Sequence, residues 1–364
     1  MNNQSLTIAV LGSHSALDVC RGAKDLGFNT LVICEKGKEK TYQKFYRSQD
    51  ELGCVDGVLV LEKFADILKP AVQEELRKRN CIFIPHRSFE VYLNFDYKAI
   101  EEKFKVPIFG NKFLLKIEER GVKPNQYDLL EKAKIRIPKQ FSDPKKIDRL
   151  CIIKVLEKER GFERAFFLCD SYKEYQKQVE EKLDKGIFTK EQLDKCVIEE
   201  FMIGVQVNLN YFFSPVDKRL ELLGTDTRRQ TNIEGLIKTP APYQQSIMEK
   251  VNIKYEEAGH IAVTVLESML EQIFELGERF VRVSQKLIPP GVIGPFALQA
   301  VIVPGPPKKD IIVFDVSPRM PGSPGTFATP YSGYLFRQNI SVGKRVAMEI
   351  KNALEKNNLE KITT

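Results

Sequence analysis

Tryptophan is absent, and only three histidines, His14, His86 and His260, are spread through 364 residues. A metal centre built from several imidazoles is therefore not expected unless folding gathers two of them. The seven cysteines stand singly, without a C-x-x-C pair. That pattern excludes a zinc ribbon and a disulfide framework. Cys34, Cys81 and Cys151 lie in strand-like apolar runs and read as buried, reduced thiols of a cytosolic protein. Long apolar stretches are also missing. Leu6 to Leu11 is too short for a secretory core, and nothing approaches the roughly 20 apolar residues of a membrane span. The expectation is a soluble, untargeted, cytoplasmic chain with no membrane partner.

Charge of one sign is scarce in any single place. The net charge is +7, yet lysine and arginine alternate with acids along Lys36 to Lys40 and Glu157 to Arg164. Interleaving of this kind marks a solvated surface. No zinc-finger or RNP-type motif accompanies the basic residues, so nucleic acid is not an expected partner. A small positive excess suits an anionic metabolite. With 43% hydrophobic and 29% charged residues, the composition is that of a globular protein of two or three domains.

What is present begins as an alternation of strand and helix. Thr7 to Leu11, Asn29 to Cys34, Gly57 to Leu61 and Cys81 to Ile84 read as strands, with helices starting near Ser15 and running from Pro70 to Arg79. Ser15 and Asp18 have the spacing of a capping box. This rhythm predicts a parallel sheet covered on both faces, with ligands at the carboxyl ends of its strands, here Gly12 to Ser15 and Pro85 to Ser88. Beyond Val122 short strands alternate with charged helices. Cys151 to Lys154 and Ala165 to Leu168 form a predicted β pair. Tyr172 to Lys185 reads as a helix, and Val197 to Phe201 and Val205 to Phe213 as strands. Phe296 to Val303 and Ile311 to Val316 make another pair. The run Pro318 to Gly333 is too rich in proline and glycine for regular structure, and Val342 to Leu354 reads as a closing helix.

Several residues are chemically conspicuous in this frame. Gly12-Ser13-His14-Ser15 is a strand-to-helix turn whose free N–H groups suit a phosphate, although it is neither a G-x-G-x-x-G nor a Walker loop. Asp315 lies in an apolar strand and needs a cation; a metal, or the nearby Arg319, would serve. Gln299 occupies a similar position in the neighbouring strand, so the two could hold Mg²⁺ whose other ligands are water and phosphate. Lys154 ends an apolar strand and could meet phosphate as a point charge. Glu199-Glu200-Phe201-Met202 places acids beside apolar groups, a combination that suits a nucleotide's ribose and base.

The order of LGSHSAL, PHRSF, IFGN, IPK, IEEFMIGVQVNLNYFFSP, ELLGTDTRRQTNIEGL, PPGVIGPFALQ and VFDVSPR resembles the archaeal formate–phosphoribosyl aminoimidazolecarboxamide ligases, the FAICAR synthetases, along nearly the whole chain. The resemblance implies an α/β plus α+β architecture. A Rossmann-like preATP-grasp domain would span 1–122 and an ATP-grasp domain 123–364, with a small lid lobe at about 150–200. It also implies an ATP-dependent carbon–nitrogen ligase in purine (IMP) biosynthesis. Formate would be activated as formyl phosphate, and the exocyclic amine of the ribotide would then attack it. By position, His14, Ser88 and His260 fall among the ribotide-binding residues. Lys154, Glu199, Glu200, Phe201, Met202, Asn208 and Gln230 fall where ATP binds. Gln299 and Asp315 match the Mg²⁺ ligands, with Mn²⁺ as a substitute, and Arg319 supports them. A homo-oligomer is implied as well.

The chain departs from the family pattern at the site. Val155 to Arg164 replaces a glycine-rich lid, keeps only Gly161, and brings in Glu157, Glu159 and Glu163. Like charge near a triphosphate predicts weaker ATP binding and slower turnover. Gln230 stands where the family tends to carry Glu, and Asp315 is one methylene shorter than the usual Glu. His260 replaces a ribotide-contacting Asn, and Arg87 a glycine. These changes leave two other readings open: a ligase of another substrate, and a nucleotide-binding, non-catalytic homologue.

Overall fold

The computed structural model describes residues 6–119, 121–154, 166–248, 250–251, 255–304 and 308–364. Its first sheet is parallel, in the order β3-β2-β1-β4, from β1 (Thr7–Leu11), β2 (Asn29–Glu35), β3 (Gly57–Leu61) and β4 (Cys81–Ile84). Both of its faces are buried because successive side chains alternate. Ile8 and Val10 join one apolar cluster, with Val19 of the helix Ala16–Asp25 and Val346 of the helix Val342–Glu355. Ala9 and Leu11 join another on the opposite face, with Leu76, Phe83 and Phe89.

The two helices on the first face meet through glycines. A Cβ on Gly22 would lie 2.3 Å from the Lys344 amide nitrogen, and one on Gly343 would lie 2.3 Å from the Asp18 carbonyl oxygen. Hydrogen atoms are the largest side chains that this backbone approach admits. The closing helix of the chain thus packs on the first. The last residue follows the same path, with Thr364 N–H donating to Ile108 O at 2.9 Å.

The predicted capping box does not form. The Ser15 hydroxyl makes no cap to its own helix and donates to Pro321 O at 2.6 Å, while Asp18 accepts from Gly343 N–H at 2.9 Å. Distant backbone groups take both side chains from the local cap.

A second sheet is antiparallel, in the order β5-β8-β6-β7, from β5 (Gln140–Phe141), β6 (Cys151–Lys154), β7 (Phe166–Cys169) and β8 (Val197–Glu200). Its core contains Ile153, Phe167, Phe188 and Ile198. The third sheet, also antiparallel, runs β11-β10-β9-β12-β13 from β9 (Val205–Ser214), β10 (Arg219–Thr231), β11 (Tyr255–Ala262), β12 (Gly294–Val303) and β13 (Asp310–Ser317). The amphipathic helix Leu270–Leu287 contributes Ile273, Leu276 and Phe280 to the core beneath it. Leu209, Tyr211, Phe296, Leu298 and Val316 share that core. The other face mixes polar side chains with apolar ones such as Phe212 and Leu223, which join the first cluster.

The predicted strands are present within a residue or two at each end. The run from Pro318 to Gly333 is more regular than its composition suggested, with a 3₁₀ turn at Pro324–Ala328 and a helix at Tyr331–Phe336. The helix Leu270–Leu287 and the strands β10 and β11 were not foreseen. All seven cysteines are free thiols, and six are buried. No helix among the described residues is long and apolar enough to cross a membrane.

Candidate active site

The carboxyl ends of β1 and β4 lie side by side, as the parallel register dictates. The Ser13 and Ser88 hydroxyls are 2.9 Å apart. The rings of His14 and His86 stack at 5.7 Å with 13° between planes, and His14 adopts a positive φ of 49°. Two of the three histidines are thus gathered. His86 is fully buried. Its Nδ1 accepts from Ser88 N–H at 3.2 Å, and its Nε2 lies 3.0 Å from Leu11 O. The carbonyl requires a donor, so the proton sits on Nε2 and Nδ1 is the acceptor. Burial pushes the His86 pKa down to about 3 against the opposing Leu11 hydrogen bond, so the ring is a neutral strut beneath the more exposed His14.

The loop after β13 closes over this corner. A Cβ on Gly322 would lie 1.9 Å from His14 Cε1, so backbone abuts the imidazole. Further along the loop, Thr326 and Thr329 press on β10, where a Cβ on Gly224 would meet Thr329 Oγ1 at 2.6 Å. One segment, Pro321 to Thr329, therefore reaches from His14 to the large antiparallel sheet.

Across that sheet, register creates a polar row. Asp226 pairs with Asn208, Asn208 with Gln299, and Gln299 with Asp315. Residues directly opposite in adjacent strands point to the same face. Gln299 Nε2 is 3.0 Å from Asp315 Oδ2, and Asn208 Nδ2 donates to Asp226 Oδ2 at 2.8 Å. Asp226 is fully buried and also accepts from Asn210 Nδ2 at 2.6 Å and from His260 Nδ1 at 2.5 Å. Burial, the largest influence, pushes its pKa up, yet the hydrogen bonds from His260, Asn208 and Asn210 together hold it below the ordinary 3.8. Asp226 is an anion at neutral pH.

The smaller antiparallel sheet supplies a second polar group. Lys154 is ion-paired to Glu199, whose other oxygen accepts from the Tyr127 hydroxyl at 2.7 Å. Glu199 is buried and Lys154 half-buried, so this lysine is a held charge rather than a freely exposed one. Its Nζ lies 5.9 Å from the centre of the Phe314 ring, next to Asp315, which brings the two antiparallel sheets together at their polar edges. Glu200 faces outward and accepts from Arg149 at 3.2 Å. Phe201 and Met202 follow at the strand end, half-buried. Gln230 is in β10, but its side chain and the predicted lid, Val155 to Arg164, lie outside the described residues.

Arg319 requires a correction. It had been expected to serve Asp315 directly, but its Nε donates to Glu90 at 2.6 Å and its Nη2 to Glu118 at 2.8 Å. Arg87 closes the cluster against Glu118 and stacks on Phe95 with 5.0 Å from its guanidinium carbon to the ring centre. A buried carboxylate pair recruits two guanidinium groups more strongly than a half-exposed aspartate does. Burial raises the Glu118 pKa to about 7, with the two arginines opposing and Glu90 and Asp315 adding to the rise. Arg319 thus acts near Asp315 through Glu118.

Asp226, Glu90 and Glu118 escaped sequence reasoning. For Asp226 a signal existed: an acid inside the strand-like run Leu222 to Thr227 needs partners, as Asp315 does. Glu90 and Glu118 sit on short helical turns, where nothing in the spacing distinguishes them from surface acids.

The donor types of Gln299 and Asp315 fit a Mg²⁺ ion. A carboxylate and an amide oxygen are hard ligands, their side chains are in contact, and rotating the amide presents its oxygen in place of nitrogen. Among the described residues no group of three or more His, Cys, Asp or Glu could hold a metal. A site with two protein ligands, completed by water and phosphate, is what remains for such an ion.

The chain is similar to known proteins along nearly its whole length. A family model described as "Protein of unknown function (DUF1246)" matches residues 8–141, and one described as "Domain of unknown function (DUF1297)" matches 174–364. The 5-formaminoimidazole-4-carboxamide-1-(beta)-D-ribofuranosyl 5'-monophosphate synthetase of Methanopyrus kandleri is 37% identical over 99% of this chain and 96% of its own length. That of Methanothermobacter thermautotrophicus is 37% identical over 100% of this chain and 96% of its own. Among solved structures, an IMP biosynthesis protein PurP from Thermococcus kodakaraensis superposes with a TM-score of 0.71 at 28% identity, covering 98% of this chain and all of that one. N5-carboxyaminoimidazole ribonucleotide synthetase, solved as an ADP complex, shares the fold at a TM-score of 0.60 and 11% identity, covering 94% of this chain and 79% of that one. Full-length identity and a shared overall fold together place the protein: the chain belongs to the 5-formaminoimidazole-4-carboxamide ribotide synthetase family and has the ATP-grasp fold.

Proposed function

We propose that the chain is an ATP- and formate-dependent ligase. It converts aminoimidazole carboxamide ribotide into the 5-formamido ribotide of IMP biosynthesis, releasing ADP and phosphate. The observation that carries this reading is the registered row Asp226, Asn208, Gln299 and Asp315 on the face of the large sheet away from its core. That row supplies oxygen and amide ligands in a line, as a nucleotide with a divalent cation requires.

His14, Ser88 and His260 hold the ribotide in this reading. Lys154 and Glu199 to Met202 hold ATP with Asn208 and Gln230. Gln299 and Asp315 hold Mg²⁺, for which Mn²⁺ can substitute, and the metal neutralises triphosphate charge. Arg319 supports Asp315 by way of Glu118. The α/β unit is residues 1–122 and the ATP-grasp unit 123–364, with the closing helix returning to the first unit. The molecule assembles as a homo-oligomer in the cytoplasm.

In the chemistry, a formate oxygen attacks the γ-phosphorus of ATP, and ADP leaves. The ribotide amine nitrogen then attacks the formyl carbon; the C–O bond to phosphate breaks, and phosphate departs with its electron pair. No nucleophilic side chain is required. The test mixes protein with ATP, Mg²⁺, formate and ribotide and follows ADP and formamido product, omitting one reactant at a time. Product dependent on all four supports the reading. ADP release without ribotide consumption, or no turnover, overturns it.

A further inference from the structure

The ribotide corner stands on the parallel sheet and the metal pair on the large antiparallel sheet, and one buried carboxylate lies at the seam between them. Glu118 ends the 3₁₀ turn Lys112–Glu118. Leu115 of that turn packs in the core that holds Ala9 and Leu11 of β1. Leu114 and Ile117 pack instead in the core beneath the antiparallel sheet. Buried Gln126 fastens the end of the turn to β13: its Nε2 lies 3.5 Å from Glu118 O, and its Oε1 accepts at 2.7 Å from the N–H of Val316, the residue after Asp315. The Glu118 side chain then reaches both halves. Its Oε2 accepts from Arg87, which precedes Ser88 at the ribotide corner, and at 2.8 Å from Arg319, in the loop that follows Asp315. A planar guanidinium has directed donors, so one shared oxygen sets the spacing of the two arginines.

Stability alone does not account for this arrangement. Glu118 Oε1 is buried and has no hydrogen-bond partner among the described residues. An acceptor left in that state costs about 1–3 kcal/mol. Buried ion clusters add little net stability, but they can fix geometry. We infer that Glu118 is a positioning residue for the second half of the reaction, holding the ribotide corner and the Gln299–Asp315 pair at the separation that brings the amine nitrogen to the formyl carbon. This rests on the ligase reading above. Glu118 acts through Arg87 and Arg319 and takes no part in bond making. Attack needs the reacting atoms about 3–3.5 Å apart, and a displacement of about 1 Å can cost on the order of 10²-fold. Formate attack on ATP takes place on the metal side only, so it depends less on the tie across the seam.

The test uses the full chain, the variant Glu118→Gln and the control Tyr97→Phe. The control removes a hydroxyl that donates to Glu90 Oε2 at 3.2 Å, a bond that does not cross the seam. Three quantities are measured: full turnover, formyl phosphate trapped with hydroxylamine in the absence of ribotide, and the KM for ribotide. The ratio of full turnover to hydroxamate formation reads alignment, whatever a variant does to both rates together. E118Q should lower that ratio by about 10- to 100-fold, with the ribotide KM within about threefold of wild type. Y97F should keep the wild-type ratio. If E118Q folds poorly by circular dichroism, E118D is read in its place. A carboxylate drawn back by one methylene displaces the tie rather than cutting it and should lower the ratio by about three- to tenfold.

A folded Glu118 variant with the wild-type ratio overturns the inference, including one in which both rates fall equally, which assigns Glu118 to the metal side. So does a loss that lies wholly in the ribotide KM, which assigns it to binding, or a Y97F ratio that falls as far as that of E118Q, which shows general loosening of the cluster. Wild type that traps no formyl hydroxamate and forms no product overturns the ligase reading instead, a result separable from these.

Discussion

Replacing His86 by Asn should remove a calculable part of the pH dependence of stability. His86 is neutral in the folded chain, with its pKa depressed to about 3 from 6.5. As pH falls below 6.5 the unfolded chain gains a proton that the folded chain refuses, so stability falls with pH. At about pH 5 the deficit is 1.5 units, or ~2 kcal/mol at about 1.4 kcal/mol per unit. His86→Asn can still cap Ser88 N–H, but it loses the bond to Leu11 O and the stack on His14. Loss of one of the two donors to Leu11 O, which keeps the Ser13 N–H, together with a small cavity should cost about 2–3 kcal/mol near pH 7. The variant escapes the protonation deficit, so its disadvantage should shrink to ~0–1 kcal/mol near pH 5. Glu118 has the opposite slope: its raised pKa gives stability at low pH that is lost as pH rises from 4.5 towards 7. Glu118 is present in both proteins, so it cancels in the difference. Urea unfolding followed by circular dichroism at the two pH values measures that difference. A stability gap that does not change between pH 7 and 5 would refute the neutral buried imidazole.

Asp315→Asn should abolish Mg²⁺-dependent ATP binding by calorimetry while leaving the thermal midpoint within a few degrees; unchanged Mg–ATP affinity would remove Asp315 from the metal site. Arg319→Met leaves Glu90 and Glu118 facing each other in the interior and should destabilise the fold by about 3–5 kcal/mol, read as a lowered urea midpoint. A loss under about 1 kcal/mol would mean that the cluster is not held by this arginine. Gly22→Ala puts a methyl within 2.3 Å of backbone and should cost about 1–3 kcal/mol, which a wild-type midpoint would contradict. Exchanging Val155 to Arg164 for a glycine-rich loop should raise turnover without changing ribotide affinity; fast turnover of the unmodified chain would show that the acids there do no harm.

Much of this protein was written locally. The continuous apolar runs of β1, β2 and β4 dictate strands buried on both faces, and their spacing by helices dictates a parallel sheet, because each crossover is long enough for a helix. Their carboxyl ends then fall where His14 and Ser88 stand. Asp315 and Gln299 were legible because an acid or amide inside an apolar strand must find a partner. Register was not legible. Only the pairing of β10 with β9, β9 with β12 and β12 with β13 aligns Asp226, Asn208, Gln299 and Asp315, residues as much as 107 positions apart in the chain. Tertiary structure also chose among competing hydrogen bonds. Ser15 gave up its helix for Pro321, and Arg319 turned from a near neighbour in sequence to Glu90 and Glu118, more than two hundred positions away. A polar side chain's partner is set by which desolvated group most needs it, and that need exists only once the chain has buried it.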